Sequence, residues 1–155
     1  MNWDMIFGLA NAWALLGWVI LALAPKRAVI APLVFFAGAV LLACLYAGLI
    51  IPLMAGLISD GGPVGRPSAD FTTLAGVMAL FDSPGGATIG WIHYLAFDLF
   101  VGIWIARNAD AHKISRWLQA PILFFTLMAG PIGLLLYLLL RQIKGEKPEN
   151  AVLPS

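Results

Sequence analysis

Long uninterrupted runs of apolar residues dominate the hydrophobic pattern of this chain. A helix needs about 20 apolar residues to cross a hydrocarbon core of about 30 Å, because each residue advances the helix by about 1.5 Å. Four stretches meet this length, and they cover residues 5–24, 29–58, 89–107 and 117–140. The pattern predicts an all-α fold, an integral membrane bundle of four transmembrane helices in a single domain over residues 1–144.

The segments at and between the predicted spans carry two further features. Pro52 lies near the end of the second stretch, so we expect its last part to be kinked or separate, whereas Pro32 in its first turn is tolerated. Residues 71–81 are apolar but too short to cross a bilayer. We therefore expect a short interfacial helix between the second and third spans, with Ser68 or Asp70 as its N-cap.

The two ends of the chain differ in character. The polar residues 145–155 contain two prolines and are expected to form a disordered tail. The first apolar stretch begins with Asp4 and has no lysine or arginine ahead of it, so we interpret it as a retained span rather than a signal peptide. Four spans would place five lysines and arginines on one side and four on the other. This weak bias favours both termini facing away from the cytoplasm.

Composition excludes an ordinary soluble enzyme and a disordered protein. The 155 residues are 61% hydrophobic and only 11% charged, which is too few polar side chains to cover a water-facing surface. A formal net charge of +1 provides no basic field for nucleic acid, and the single cysteine, Cys44, excludes a disulfide framework within the chain. The predicted partner is therefore the lipid bilayer, and no nucleic-acid partner is expected.

Two ionisable side chains lie within the third predicted span, where burial is costly. Asp98 must face the bundle interior, find a hydrogen-bond donor or be protonated, so a functional carboxyl is the default interpretation and a structural role the alternative. His93 is either a second functional group or an interfacial histidine bonded to a loop carbonyl. At about 100° per residue the two are about 140° apart around the helix. They can reach one cavity only if this helix is central or the cavity surrounds it.

Other polar, small and aromatic residues in the predicted spans are candidates for lining an apolar binding site. For each of them, helix–helix packing or a place in the interfacial aromatic belt is the simpler explanation. Gly130-Pro131 with Gly133 leaves a backbone carbonyl unpaired in the fourth span, and so predicts a kink that opens a pocket or fits neighbouring helices. The candidate substrate-binding residues are Asn11, Tyr46, Trp91, Tyr94, Phe97, Gly102 and Trp104.

Motifs for the common cofactor-dependent and hydrolytic chemistries are absent from the sequence. It contains no glycine-rich nucleotide motif, no GxSxG or HExxH motif and no cysteine–histidine cluster. With only two histidines, His93 and His112, a multi-histidine iron site within one chain is excluded. We therefore expect no metal and no cofactor within the chain, and leave open a homo-oligomer with a metal between its protomers.

The third span carries a resemblance to a known family. Residues 90–102, with the sequence GWIHYLAFDLFVG, resemble the signature of the small four-span membrane proteins grouped with plant neoxanthin synthase, the abscisic-acid-deficient type. Residues 130–135, GPIGLL, are similar to that family's proline kink. Weaker similarity at residues 11–18 and 81–83 extends the resemblance over most of residues 1–141.

The resemblance implies carotenoid chemistry within a membrane. Plant members are associated with converting violaxanthin into neoxanthin, an epoxide-to-allene isomerisation with no net redox change. Such a reaction needs an acid for the epoxide oxygen and a base for a carbon-bound proton. By position, the resemblance assigns these roles to His93 and Asp98. The short loops are similar to those of prokaryotic relatives, so we expect a multi-pass protein of a prokaryotic inner membrane.

Three hypotheses follow from the sequence. The first is a cofactor-free membrane isomerase, or a related enzyme, whose carotenoid-like substrate lies between spans with its end group near His93 and Asp98. The second is a non-catalytic pigment- or lipid-binding accessory subunit of a carotenoid-pathway complex. The third is a small structural or oligomer-forming membrane protein in which Asp98 serves only folding or assembly.

Overall fold

The computed structural model describes residues 1–23, 27–64 and 70–144, and every regular element in these ranges is a helix. The all-α prediction is confirmed there, whereas the predicted tail at residues 145–155 lies outside the described residues. In chain order the elements are α1 (Trp3–Leu23), α2 (Arg27–Leu33), a π-helical segment (Val34–Val40), α3 (Leu41–Met54), α4 (Leu74–Phe81), α5 (Pro84–Ala111), α6 (Arg116–Met128) and α7 (Gly130–Lys144).

Three helices in the described ranges are long and apolar enough to cross a membrane. The first is α1. The second spanning helix is the continuous helix that runs from α2 through the π-helical segment into α3, and the third is α5. They match the first three predicted spans. The second helix ends at Met54, and Pro52 lies inside α3, so its irregularity is the π-helical segment rather than a break near Pro52.

Helix α5 is the centre of the bundle, and each of the other described helices packs against it. Its 28 residues extend about 42 Å at the usual helical rise. Ser83 starts the helix by accepting a hydrogen bond from the Gly86 backbone N–H at 3.0 Å, and Pro84 occupies the first turn, where its missing N–H is harmless.

Helix α1 runs parallel to α5. Trp3 lies beside Gly85 near the start of both helices, and Trp18 lies beside Gly102 near the end of both. A Cβ atom at Gly102 would overlap the Trp18 ring. The glycine therefore allows the two helices to approach closely, a common device in membrane packing.

The second spanning helix runs antiparallel to α5. Its early residue Phe35 lies beside Phe100, with ring centroids 6.1 Å apart. Its later residue Tyr46 lies beside His93, with ring centroids 5.2 Å apart. The order of these contacts is reversed along α5, so the chain crosses back before it enters the connection that contains α4.

The predicted fourth span, residues 117–140, is not one helix but a hairpin made of α6 and α7. Gln119 at the start of α6 donates to Asp110 near the end of α5 at 2.9 Å. Tyr137 and Arg141 of α7 donate to Asn108, also near the end of α5, at 2.5 and 3.2 Å. Both open ends of the hairpin therefore lie at the same end of α5.

The tip of this hairpin reaches the middle of α5. Met128, the last residue of α6, accepts a hydrogen bond from the Tyr94 hydroxyl at 2.8 Å, and Gly130 lies against Asp98. Helices of 13 and 15 residues extend only about 20 and 22 Å, which is too short for a hydrocarbon core of about 30 Å. The described residues therefore form three spanning helices and a hairpin, and not the four spanning helices that were predicted.

Local sequence explains the sharp turn between α6 and α7. Ala129 leaves the helical conformation with φ −157° and ψ 77°, and Pro131 cannot donate a backbone hydrogen bond. A Cβ atom at Gly133 would overlap the backbone of Thr126. Glycine at this position is what lets the two helices fold against each other, so the predicted kink becomes a reversal of direction.

The predicted short helix between the second and third spans is present as α4, although its start differs from the prediction. Thr73 is the N-cap, and its hydroxyl accepts a hydrogen bond from the Gly76 N–H at 3.0 Å. Asp70 instead supports this cap: hydrogen bonds from Thr72 and Thr73 hold the pKa of the Asp70 carboxyl below its usual range. The other predicted cap, Ser68, lies outside the described residues.

The hairpin changes the distribution of charge between the two ends of the bundle. Because α7 returns to the end where α6 begins, Arg141 and Lys144 join Arg107, Lys113 and Arg116 at that end. Among the described residues, no lysine or arginine lies at the opposite end. Among the described residues, the near balance expected from four spans is thus replaced by a bias toward this end, so we expect this end to face the cytoplasm and the start of α1 to face away from it.

Cysteine labelling tests this topology. Cys44, the single cysteine, is first replaced by alanine, and then Val64→Cys, Lys113→Cys and Lys144→Cys are introduced separately at exposed positions. We expect a membrane-impermeant maleimide to label Val64→Cys on intact cells, and Lys113→Cys and Lys144→Cys only after permeabilisation. Labelling of Lys113→Cys and Lys144→Cys from opposite sides would contradict the hairpin.

Candidate active site on the central helix

The two ionisable residues of the third span lie on different faces of α5. Asp98 is buried, with 7% of its surface exposed, and faces α1 and the hairpin tip. His93 is exposed and faces α3. The structure therefore places them as the helical period predicts, on separate faces of a central helix, and no described cavity is lined by both.

Asp98 binds the start of α7. Its carboxyl group accepts a hydrogen bond from the backbone N–H of Gly130, and a Cβ atom at Gly130 would overlap one carboxyl oxygen. The first N–H groups of a helix have no partner within the helix, and Pro131 has none to offer. The Asp98 side chain of α5 therefore caps the N-terminus of α7, a helix that begins in the middle of the bundle.

The other carboxyl oxygen of Asp98 is left without a hydrogen bond. Among the described side chains, the buried polar atoms that lack a partner are Asp98 Oδ2 and Trp18 Nε1. Trp18 covers Gly102, which lies one helical turn beyond Asp98. An unpaired buried acceptor destabilises a fold by about 1–3 kcal/mol. These two atoms therefore keep unused hydrogen-bonding capacity in this part of the bundle.

Two predicted substrate-binding residues of α5, Trp91 and Tyr94, join Asp98 on this face, and a third, Asn11 of α1, meets them there. Trp91 Nε1 donates to Asn11 Oδ1 at 2.9 Å, and the Trp91 ring stacks on Tyr94 with centroids 5.2 Å apart. The Tyr94 hydroxyl lies within hydrogen-bonding reach of both Asp98 and the Met128 carbonyl oxygen. Because it has one hydrogen, it can donate to only one of them at a time. The four residues form a polar seam between α1, α5 and the hairpin tip.

His93 lies in a different environment, at a small apolar cavity between α3, α4 and α5. Its ring stacks on Phe97, with centroids 4.6 Å apart, and lies 5.2 Å from the Tyr46 ring. The cavity has a volume of about 170 Å³. No hydrogen bond to either imidazole nitrogen is found in the described part of the chain, so the loop-carbonyl explanation for His93 gains no support there. Its lining residues are Tyr46, Ile50, Phe71, Leu80, Phe81, Ile89, Gly90 and His93.

The remaining candidates divide between these two faces. Phe97 continues the His93 face, and Trp104 lies further along it, where its ring packs edge-on against Tyr137 at 5.6 Å. Gly102 belongs to the buried α1 interface and lines no described cavity. Among the described residues, no group of three or more histidine, cysteine, aspartate or glutamate side chains is placed to hold a metal.

Sequence reasoning missed the hairpin-tip residues. Met128 and Gly130 supply the backbone groups that meet Tyr94 and Asp98. The sequence feature that points to them is Gly130-Pro131 with Gly133, which indicates a break in the helix but not that the chain reverses there. Trp18 is not among the predicted candidates, although its partner Gly102 is.

Fold and site together define a helical integral membrane protein, built around one central helix that carries polar groups at mid-depth. The chain belongs to the ABA4-like family, described as ABA DEFICIENT 4-like, whose model matches residues 5–137. No curated protein and no solved structure matches the chain. The family is that of the neoxanthin synthase type, which confirms the resemblance and indicates a membrane protein related to the carotenoid pathway. Because the family is plant-associated, the match does not support a prokaryotic inner membrane.

The contact between Asp98 and Gly130 can be tested through stability. Gly130→Ala places a Cβ atom against the Asp98 carboxyl, and overpacking of this kind destabilises by about 1–3 kcal/mol. We expect a lower Tm in detergent. Gly48→Ala in α3 is the matched control because a Cβ atom there meets nothing within 4 Å. Equal Tm values for the two variants would show that the hairpin tip does not rest on Asp98.

Proposed function

We propose that this protein is a cofactor-free membrane enzyme that modifies a carotenoid-like isoprenoid, by epoxide-to-allene isomerisation or a related reaction. The observation that carries the proposal is the position of His93. Its imidazole forms no hydrogen bond among the described residues and lines a cavity whose walls are otherwise almost entirely apolar. An apolar substrate that enters from the bilayer can reach this group without leaving the hydrocarbon region.

The proposed reaction needs only proton transfers. A base removes a proton from the carbon next to the ring, the electrons form the new double bond of the allene, and the carbon–oxygen bond of the epoxide breaks. An acid supplies a proton to the released oxygen, so atoms and electrons balance without an oxidant or reductant. Imidazole is suited to act as the base near neutral pH. Tyr46 carries the one hydroxyl group of the cavity lining and is the proposed donor to the oxygen.

For Asp98 the geometry favours a positioning role over direct proton transfer. Its carboxyl holds the N–H of Gly130, and it lines none of the described cavities on the His93 face. By holding the hairpin tip against α5, Asp98 fixes the position of the central helix relative to the hairpin. The free Oδ2 atom is the feature that would support a catalytic role instead.

Pigment analysis tests the role of His93. In a carotenoid-producing host, we expect the wild-type chain to change the pigment profile and His93→Ala to reduce conversion by about 10²–10⁴-fold, the usual contribution of general acid–base catalysis. His112→Ala is the control for loss of a histidine outside the cavity. Protein amounts are compared by immunoblot. Unaltered pigment bound in stoichiometric amount to wild type would support the accessory-subunit alternative and overturn the enzyme proposal.

Two substitutions of Asp98 separate positioning from proton transfer. Asn retains an oxygen that can accept the Gly130 N–H, whereas Ala does not. We expect Asp98→Asn to keep most of the Tm and most of the conversion, and Asp98→Ala to lower the Tm because the start of α7 loses its acceptor, a change of about 1–3 kcal/mol. Loss of conversion in Asp98→Asn at unchanged Tm would assign the carboxyl to catalysis.

A further inference from the structure

The His93 face of α5 is bordered by two more cavities beyond the one at His93. A middle cavity of about 320 Å³ is lined by Phe35, Ala39, Val40 and Ala43 on the second spanning helix and by Ala96, Phe97 and Phe100 on α5. An end cavity of about 560 Å³ is lined by Phe35, Phe100, Ile103, Trp104, Arg107, Asn108 and Ala111. Phe35 and Phe100 are common to both, and the stacked pair Phe97 and His93 connects the middle cavity with the first.

The three cavities follow one another along the boundary between α5 and the second spanning helix, and together they are called the groove. Its lining on α5 extends from Ile89 to Ala111, which is about 33 Å at the helical rise. This length matches a hydrocarbon core of about 30 Å. An occupant of the whole groove therefore crosses both leaflets, which a single lipid acyl chain confined to one leaflet does not.

The groove is apolar in the middle and polar near both ends. Alanines widen its centre, and the π-helical segment (Val34–Val40) forms part of one wall; such segments occur frequently at functional sites. His93 and Tyr46 lie toward one end. Arg107, an exposed residue with no hydrogen bond or ion pair among the described residues, lies with Asn108 at the other, about 21 Å from His93 along the helix.

We propose that this groove binds a rigid, rod-shaped isoprenoid that carries an oxygen group at each end, and that Arg107 recognises the end group far from His93. The inference rests on the proposed function and adds the pose: one ring lies at His93, where the reaction takes place, and the polyene runs past Phe97 and Phe100. The guanidinium group then donates a hydrogen bond to the distal oxygen. Recognition at this end selects substrates by a group that does not react.

Binding of three related pigments tests the pose. Purified protein in nanodiscs is titrated with a carotenoid hydroxylated at both ends, its monohydroxylated analogue and the unsubstituted hydrocarbon, and bound pigment is measured by absorbance. We expect wild type to prefer the doubly hydroxylated pigment over the monohydroxylated one by about tenfold or more, the effect of one hydrogen bond to a charged group. Arg107→Leu should abolish the preference and Arg107→Lys should retain part of it.

A second pair of variants tests the middle of the groove. Ala43 is exposed and lines the middle cavity, so Ala43→Phe should block binding of all three pigments without overpacking the core. Ala12→Phe, at an exposed position of α1 outside the groove, should not. Full binding by Ala43→Phe, or an unchanged preference in Arg107→Leu, would overturn the groove proposal. Pigment conversion that depends on His93 but not on Arg107 would leave the proposed function intact.

Discussion

The hydrogen bond between the Asp98 carboxyl and the Gly130 backbone N–H is the interaction on which the rest of this bundle depends. In the hydrocarbon region no water is present to satisfy a free backbone group, so a helix that begins at mid-depth needs an acceptor from the protein itself. Asp98 supplies it, and Tyr94 meets the carbonyl of Met128 on the other side of the turn. Without these two contacts, the reversal at Ala129 would leave the Gly130 N–H and the Met128 carbonyl without a hydrogen-bond partner.

The central helix separates two tasks. On one face, the seam of Asn11, Trp91, Tyr94 and Asp98 joins α1 and the hairpin through short, specific contacts, and Gly102 lets Trp18 close the gap beside it. On the other face, alanines and aromatic rings leave a groove against the second spanning helix. The contacts of the seam hold α5 against α1 and the hairpin, and the groove lies on the opposite side of α5, along the second spanning helix.

The sequence predicted the three long helices well, because run length and hydropathy alone decide whether a helix can cross a bilayer. The same reasoning was wrong for the fourth apolar run, which forms a hairpin. Hydropathy measures how much apolar chain is present and contains no information about where the chain reverses. That reversal depends on pairs such as Asn108 with Tyr137 and Asp110 with Gln119, which only the folded chain brings together. The angular separation of His93 and Asp98 followed from the helical period. Which of them faces a cavity depended on the packing of α3 and α7, which periodicity does not show.

The hairpin also gives the molecule an asymmetric cross-section. In the leaflet that contains α6 and α7, five helical segments of the described ranges share the membrane plane, whereas beyond the tip at Gly130 the described segments are the three long helices and the short α4. The described part of the protein is therefore wedge-shaped, broad toward its cationic end and narrow toward the start of α1. A bilayer whose leaflets differ in area, as in a tightly curved sheet or at a rim, accommodates such a wedge with less distortion than a flat one.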